Sequence, residues 1–332
     1  VQKVSKNFSI DPSVKEEVEQ FIIDWYSDLS HIKTMTSGST GKPKQIQLLK
    51  NGMLYSARNT VTYFNLTEKT KALLCLPLTT IGGKMMIVRA IESRMKLNVI
   101  KAVSNPLSEW EGRIDFIAVT PMQLTNMLNQ SLEKVREIRY ILVGGAPMNG
   151  DLISQLRDEK ITVYHGYGMT ETASHVAIKK VGFETDEYYQ AMPGIRFEYG
   201  ENQGLKIFFP ALHDNPIITS DQVELANEFQ FNWLGRNDFV VNSGGIKIRV
   251  EEIESQLSNF FQVPFFVCGI PDTYLGEKLI LCIESTDSST NVDLEFLGVK
   301  KPREVYHLAR FIYTNSGKLD RKATVNQLKL NQ

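Results

Sequence analysis

Two glycines, four hydroxyl side chains and two lysines fall within nine residues at Thr36-Ser37-Gly38-Ser39-Thr40-Gly41-Lys42-Pro43-Lys44. A flexible loop of that composition can surround a polyphosphate with N–H, O–H and ammonium donors. It is not a Walker loop: the glycine spacing differs, and Pro43 stands where Ser or Thr would follow Gly-Lys. The plain alternative is a solvated linker. A second cluster, Tyr167-Gly168-Met169-Thr170-Glu171-Thr172, follows the run Ile161-Thr162-Val163-Tyr164-His165. Tyr167 offers a flat ring for a nucleobase, Thr170 a hydroxyl for phosphate, and Glu171 a carboxylate able to hold Mg²⁺ beside phosphate oxygens. Read alone, the cluster is also compatible with a helix cap at Thr170. Asp221 can accept hydrogen bonds from both hydroxyls of a ribose, and Arg236 can donate to them. Either by itself reads as a turn acid or a surface arginine. Ser243-Gly244-Gly245-Ile246-Lys247 is a tight bend that allows close backbone approach. Asn315-Ser316-Gly317-Lys318-Leu319-Asp320-Arg321 sets a lysine in a loop near the C-terminus, the alternative being a basic tail.

The elements that must position these residues are legible from periodicity. Val14, Val18, Phe21, Ile22, Trp25 and Leu29 share one helical face, so the chain opens with an amphipathic helix. Residues 71–77, 96–100, 115–120 and 139–145 are short apolar runs that read as buried strands. Helical stretches at 83–93, 121–130 and 149–159 separate them. That alternation predicts an α/β domain around a mainly parallel sheet, with the Tyr167 cluster beyond the carboxyl end of a strand. The pattern changes near Gly194, where Gly- and Pro-punctuated alternating segments predict a small antiparallel β subdomain. After Asp238 the sequence predicts an α+β tail: a Gly-bent hairpin, an acidic helix from Glu251, strands around Phe265 and Leu281, and a Lys/Arg-rich end. The predicted domains are 1–237 and 238–332.

Bulk composition narrows the functional classes. Lys plus Arg number 37 against 38 Asp plus Glu, a net charge of −1, so bulk electrostatics points to neither nucleic acid nor a membrane surface. The three cysteines, Cys75, Cys268 and Cys282, lie in separate apolar stretches and read as reduced and buried. The first residues contain no apolar signal core, and no apolar run is long enough to span a bilayer. A cytoplasmic location is the expectation.

In their order and separations, these five motifs resemble those of the adenylate-forming superfamily, from Thr36 to Arg321: acyl-CoA synthetases, carrier-protein adenylation domains and beetle luciferases. The resemblance implies a large N-terminal domain and a small mobile C-terminal one, with ATP, Mg²⁺ and coenzyme A as co-substrates. It implies that Thr36, Ser37, Gly38, Ser39, Thr40, Gly41 and Lys44 handle the ATP β- and γ-phosphates. Gly144, Gly145 and Ala146, with Tyr167 and Gly168, would frame the adenine and acyl pocket. Thr170 would meet the α-phosphate, Glu171 the Mg²⁺, and Asp221 and Arg236 the ribose. Asp238 would be the hinge, Ser243, Gly244 and Gly245 would line the pantetheine tunnel, and Lys318 would be the adenylation lysine. Two departures stand out. Only 35 residues precede Thr36, which implies a reduced first sheet layer, and Tyr313-Thr314-Asn315 lacks the proline usual before the lysine loop.

Within the superfamily, residues 167–175, 191–194 and 231–236, with Ile81-Gly82-Gly83-Lys84-Met85-Met86, are similar to the o-succinylbenzoate–CoA ligases of menaquinone synthesis, in a shortened bacterial form. Such a substrate is a dicarboxylate whose ring carboxylate needs a paired cation or several donors when buried. Lys84, at the start of a predicted helix, is the first candidate, followed by Ser174 and His175; their alternatives are a surface lysine and a helix-packing pair. Arg89 is a weaker candidate and reads rather as part of a structural ion pair. Competing functions are an enzyme that loads an aryl or amino acid onto a carrier protein, and a non-catalytic nucleotide-binding protein. The expected partners are small molecules, with a homodimer as the macromolecular association to consider.

Overall fold

The structure, a computed structural model, describes residues 7–36, 44–200, 204–236, 240–261, 263–287, 294–313 and 319–330. Strand β1 (Phe8–Ile10) and helix α1 (Lys15–Tyr26) precede a hairpin of β2 (His31–Met35) and β3 (Gln45–Leu49). There follow α2 (Lys50–Tyr63), β4 (Lys71–Leu74), α3 (Ile81–Ser93), β5 (Lys96–Val99), β6 (Phe116–Val119), α4 (Pro121–Gln130), α5 (Leu132–Arg136), β7 (Tyr140–Val143), α6 (Gly150–Asp158) and β8 (Thr162–Met169). Then come β9 (Ser174–Gly182), β10 (Tyr189–Ala191), β11 (Arg196–Tyr199), β12 (Gly204–Phe208), β13 (Ile217–Asn227) and β14 (Gln230–Arg236). The remainder comprises β15 (Val240–Ser243), β16 (Ile246–Arg249), α7 (Val250–Leu257), β17 (Phe265–Asp272), β18 (Gly276–Glu284), β19 (Glu304–Leu308) and α8 (Arg321–Leu330).

All strands before residue 237 except the β2–β3 hairpin join one 12-stranded sheet, ordered β1-β5-β4-β6-β7-β8-β9-β10-β14-β13-β12-β11. The half from β1 to β8 is parallel, and its central strands β4, β6 and β7 are apolar on both faces because helices cover both. Phe116 and Ala118 of β6 pack on the side of α1, α2 and α3, while Ile117 and Val119 face α4, α5 and α6. Side-chain hydroxyls and amides start the helices: Thr80 accepts from Gly83 N–H, Thr120 forms a capping box with Gln123, and Asn149 accepts from Leu152 N–H.

Several expectations need correction. The sheet is mixed rather than mainly parallel, and the antiparallel strands continue it instead of forming a separate subdomain. The reversal occurs between Gly168 and Ser174, where β8 turns into β9, well before Gly194. Val176, Ala177 and Ile178 of β9 are all buried, so this strand has the continuous apolar pattern of its parallel neighbours. Pairing direction leaves no mark on that pattern. Helix α1 stops at Tyr26 because the Ser27 backbone is extended and its hydroxyl donates to Asp24 O; Leu29 lies outside the helix and is 68% exposed. Strand β1 completes the parallel edge beside β5, and β19 pairs in parallel with β18; the sequence reading anticipated neither.

Beyond residue 239 a five-stranded sheet, carrying β19 against β18, has its own apolar clusters on its two faces. Val250, Ile253 and Leu257 bury one face of α7, and Glu251 and Glu252 stand in its first turn, where the helix dipole favours anions. The cysteines are free. Burial pushes the Cys75 thiol up to about 12, whereas Cys268 is only half-buried and lies beside Cys282 across β17 and β18.

Candidate active site

β2 and β3 pair as an antiparallel hairpin, with Thr36 following β2 and Lys44 preceding β3. Thr36 N–H donates to Lys44 O at 2.9 Å, and Lys44 N–H donates to Thr36 Oγ1 at 3.1 Å, so the two ends of the loop are tied together. Ser37, Gly38, Ser39, Thr40 and Gly41 lie outside the described residues, as do Asp238 and Lys318.

The β8–β9 turn is the densest part of the site. Gly168 pairs with His175 across a register shift, and a Cβ there would stand 2.1 Å from Ser174 O, so only glycine lets the strands approach. Ala173 (φ 52°) and Ser174 (φ 89°) turn through the left-handed region without glycine, a local strain that surrounding contacts must hold. Thr172 Oγ1 accepts from Met169 N–H and lies 2.7 Å from Ser174 O, and Ser56 of α2 donates to Ala173 O. Thr170 is buried at the head of this turn. His213 Nε2–H donates to the backbone oxygen of Glu171 at 2.8 Å, and the Glu171 carboxylate has no hydrogen bond or ion pair among the described residues.

His165, just before the cluster, ties it to the Gly144-Gly145-Ala146 turn. A carbonyl can only accept, so His165 Nε2–H donates to Ala146 O (3.1 Å) and Nδ1 accepts from the Tyr189 hydroxyl (2.6 Å). That is the neutral tautomer, and burial lowers the imidazole pKa accordingly.

Tyr167 donates its hydroxyl to Asp221 Oδ2 at 2.6 Å, and Arg236 Nη1 lies 3.9 Å from Asp221 Oδ1. Asp221 is 5% exposed and pairs directly with Arg236 across β13 and β14. The structure therefore unites Tyr167, Asp221 and Arg236. Burial, and then the Asp221 charge, holds the Tyr167 phenol well above its ordinary pKa.

A second polar group is buried beneath the turn. Arg89 of α3, 1% exposed, donates from Nε to Thr60 Oγ1 (3.2 Å) and from Nη2 to Ser174 Oγ (3.1 Å), and Nη2 also lies 3.4 Å from His175 Nδ1. Burial lowers the guanidinium pKa to about 9 and, together with the Arg89 charge, keeps His175 neutral. No carboxylate pairs with Arg89 among the described residues, so the expected structural ion pair is not there. Lys84 joins a different neighbourhood. It donates to Leu78 O at 2.9 Å and lies 5.9 Å from the Phe21 ring. Five residues of α-helix turn the two cations about 140° apart, so Ser174 and His175 meet Arg89 rather than Lys84.

Ser243 ends β15, and Gly244 (φ 59°) and Gly245 (φ 82°) form the hairpin turn into β16; Gly244 N–H donates to Leu275 O.

The AMP-binding enzyme family matches residues 34–198 of this chain. A solved structure from Dyadobacter fermentans, described as an acyl-CoA synthetase (AMP-forming)/AMP-acid ligase II-like protein, is 34% identical, covers 93% of both chains and has a TM-score of 0.61. The chain belongs to the adenylate-forming, AMP-binding enzyme family. This family member is also 26% identical, over 77% of its length, to a 2-succinylbenzoate–CoA ligase of Bacillus subtilis, and it spans 59% of that protein. The fold matches that of the Bacillus subtilis o-succinylbenzoate CoA synthetase solved with its acyl-adenylate, at a TM-score of 0.75 and 22% identity, covering 90% of this chain and 68% of that one.

Among the described residues this AMP-binding enzyme has no cluster of metal-ligating side chains. The lone carboxylate of Glu171 suits a Mg²⁺ ion that arrives with the oxygens of a nucleotide. His165 and Trp233 stand in runs that the sequence singles out but have no role there, and Thr60 and His213 are not singled out at all. His165 and Trp233 adjoin motif residues, a signal that could have raised them, but nothing about Thr60 or His213 marks them before the chain is folded.

Proposed function

We propose that this chain is an ATP-dependent acyl-CoA ligase whose acid is o-succinylbenzoate, a step of menaquinone biosynthesis. In this reading Thr36, residues 37–41 and Lys44 embrace the β- and γ-phosphates. Tyr167, Gly168 and residues 144–146 frame the adenine, and Asp221 and Arg236 hold the ribose. Thr170 meets the α-phosphate, and Glu171 holds the Mg²⁺ that neutralises phosphate charge. The substrate carboxylate attacks the α-phosphorus and pyrophosphate leaves; Lys318 stabilises the charge that builds on phosphoryl oxygens. The chain divides at Asp238, and rotation there withdraws Lys318 and brings Ser243, Gly244 and Gly245 to the thiol path.

The observation that carries the choice of acid is Arg89. A cation buried with only neutral partners is costly, and a second substrate carboxylate would compensate it. Ser174 completes the donor set, and the names of the 2-succinylbenzoate relatives point the same way. The test is AMP release and thioester formation with ATP, Mg²⁺ and CoA, across o-succinylbenzoate, benzoate, fatty acids and amino acids. Selective conversion of o-succinylbenzoate is expected. Thioester formed only on a carrier protein, or no acid-dependent pyrophosphate exchange at all, would replace this reading with another.

A further inference from the structure

Asp221 is gripped from both ends. Its Oδ2 accepts from the Tyr167 hydroxyl at 2.6 Å, while Oδ1 faces Trp233 Nε1 at 3.3 Å and Arg236 Nη1 at 3.9 Å. A β-bulge makes the second grip possible. β13 and β14 pair Asp221 with Arg236 and Val223 with Trp233, and the register shifts between them. Residues 221 and 223 share a face, but 233 and 236 are three apart and on a regular strand would point to opposite faces. The extra residue absorbs the odd step, and Gly235, at φ 131°, supplies the backbone conformation. A Cβ at position 235 would also stand 3.1 Å from the Glu251 carboxylate. The bulge therefore turns both Trp233 and Arg236 onto one carboxylate oxygen.

We propose that Trp233 is a positioning residue that sets the preference for a ribose diol through Asp221, which rests on the ribose reading of Asp221 given above. An indole N–H is a neutral donor with no acceptor capacity, so it orients the carboxylate without cancelling its charge. Each carboxylate oxygen has about two acceptor sites. Tyr167 engages one on Oδ2 and Trp233 one on Oδ1, while Arg236 Nη1, at 3.9 Å, is too far to hydrogen-bond, which leaves an acceptor on each oxygen for two adjacent hydroxyls.

Trp233→Phe keeps a ring and removes the N–H. Calorimetric binding of ATP, 2′-deoxy-ATP and 3′-deoxy-ATP to the full chain reads the effect without depending on which acid is used, and thermal melting checks that the variant folds. ATP binding should weaken roughly 3- to 10-fold with little change for the deoxynucleotides, so that the penalty for losing a hydroxyl shrinks. Equal weakening for all three nucleotides would make Trp233 a structural residue and overturn the proposal. So would wild-type discrimination in Trp233→Phe alongside its loss in Asp221→Ala. Discrimination that survives Asp221→Ala would instead remove the ribose reading of Asp221, and the proposal with it.

Discussion

Arg89 shows how much a single side chain's meaning depends on what surrounds it. In sequence it is one cation in an apolar helix, for which an ion pair is the economical assumption. In the structure it meets Thr60, Ser174 and His175 and no acid among the described residues. If it takes the ring carboxylate, Arg89→Met should lower kcat/KM for o-succinylbenzoate by roughly 10- to 100-fold, since charge-assisted hydrogen bonds contribute about 1.5–3 kcal/mol. An analogue without the ring carboxylate should be a poor substrate for the unaltered enzyme and lose little more in the variant. Lys84→Ala, which removes a donor to Leu78 O, should affect both compounds slightly and alike. Equal losses with both compounds in Arg89→Met would return Arg89 to a structural role.

At the scale of elements, the β8–β9 turn depends on two neutral histidines. His165 Nδ1 accepts from Tyr189. Arg89 donates towards His175 Nδ1, and His175 Nε2–H faces Thr60 Oγ1. A proton on His175 Nδ1 would set donor against the Arg89 donor, one on His165 Nδ1 would require the Tyr189 hydroxyl to turn round and accept, and burial opposes both charges. Both folded-state pKa values lie below the ordinary 6.5. The stability they contribute is therefore complete above that value. It declines as pH falls from there through the folded-state values, because the unfolded chain takes up protons that the folded chain refuses. Urea denaturation between pH 7.5 and pH 5 should show that decline, and His165→Gln and His175→Gln should each flatten it. A slope unchanged in both variants would place the titration elsewhere.

For the whole molecule, no apolar cluster among the described residues draws side chains from both sides of positions 237–239. That favours Asp238 as a hinge. Asp238→Pro, which fixes φ, should impair thioester formation more than adenylation. Lys318→Ala should do the reverse, slowing acyl-AMP formation by several orders of magnitude while supplied acyl-AMP is still converted. Separate assays of the two half-reactions decide this. Wild-type rates for both in Asp238→Pro would mean that the boundary lies elsewhere, and equal losses for both in Lys318→Ala would assign that lysine to folding.

By itself the sequence determined the family and most of the elements. Motif spacing and apolar runs are local properties, so β4 to β7, α4 and the Gly244-Gly245 turn could be read directly. Only tertiary structure decided that the antiparallel strands extend the parallel sheet, because pairing direction does not alter an apolar run. It likewise decided that Arg89 rather than Lys84 meets Ser174, since each cation's surroundings come from α1, α2 and β9, elements distant along the chain. The Trp233 contact is the sharpest case. A one-residue bulge inverts which side chains share a face, and although Gly235 is compatible with one, only the pairing with β13 shows that it is there.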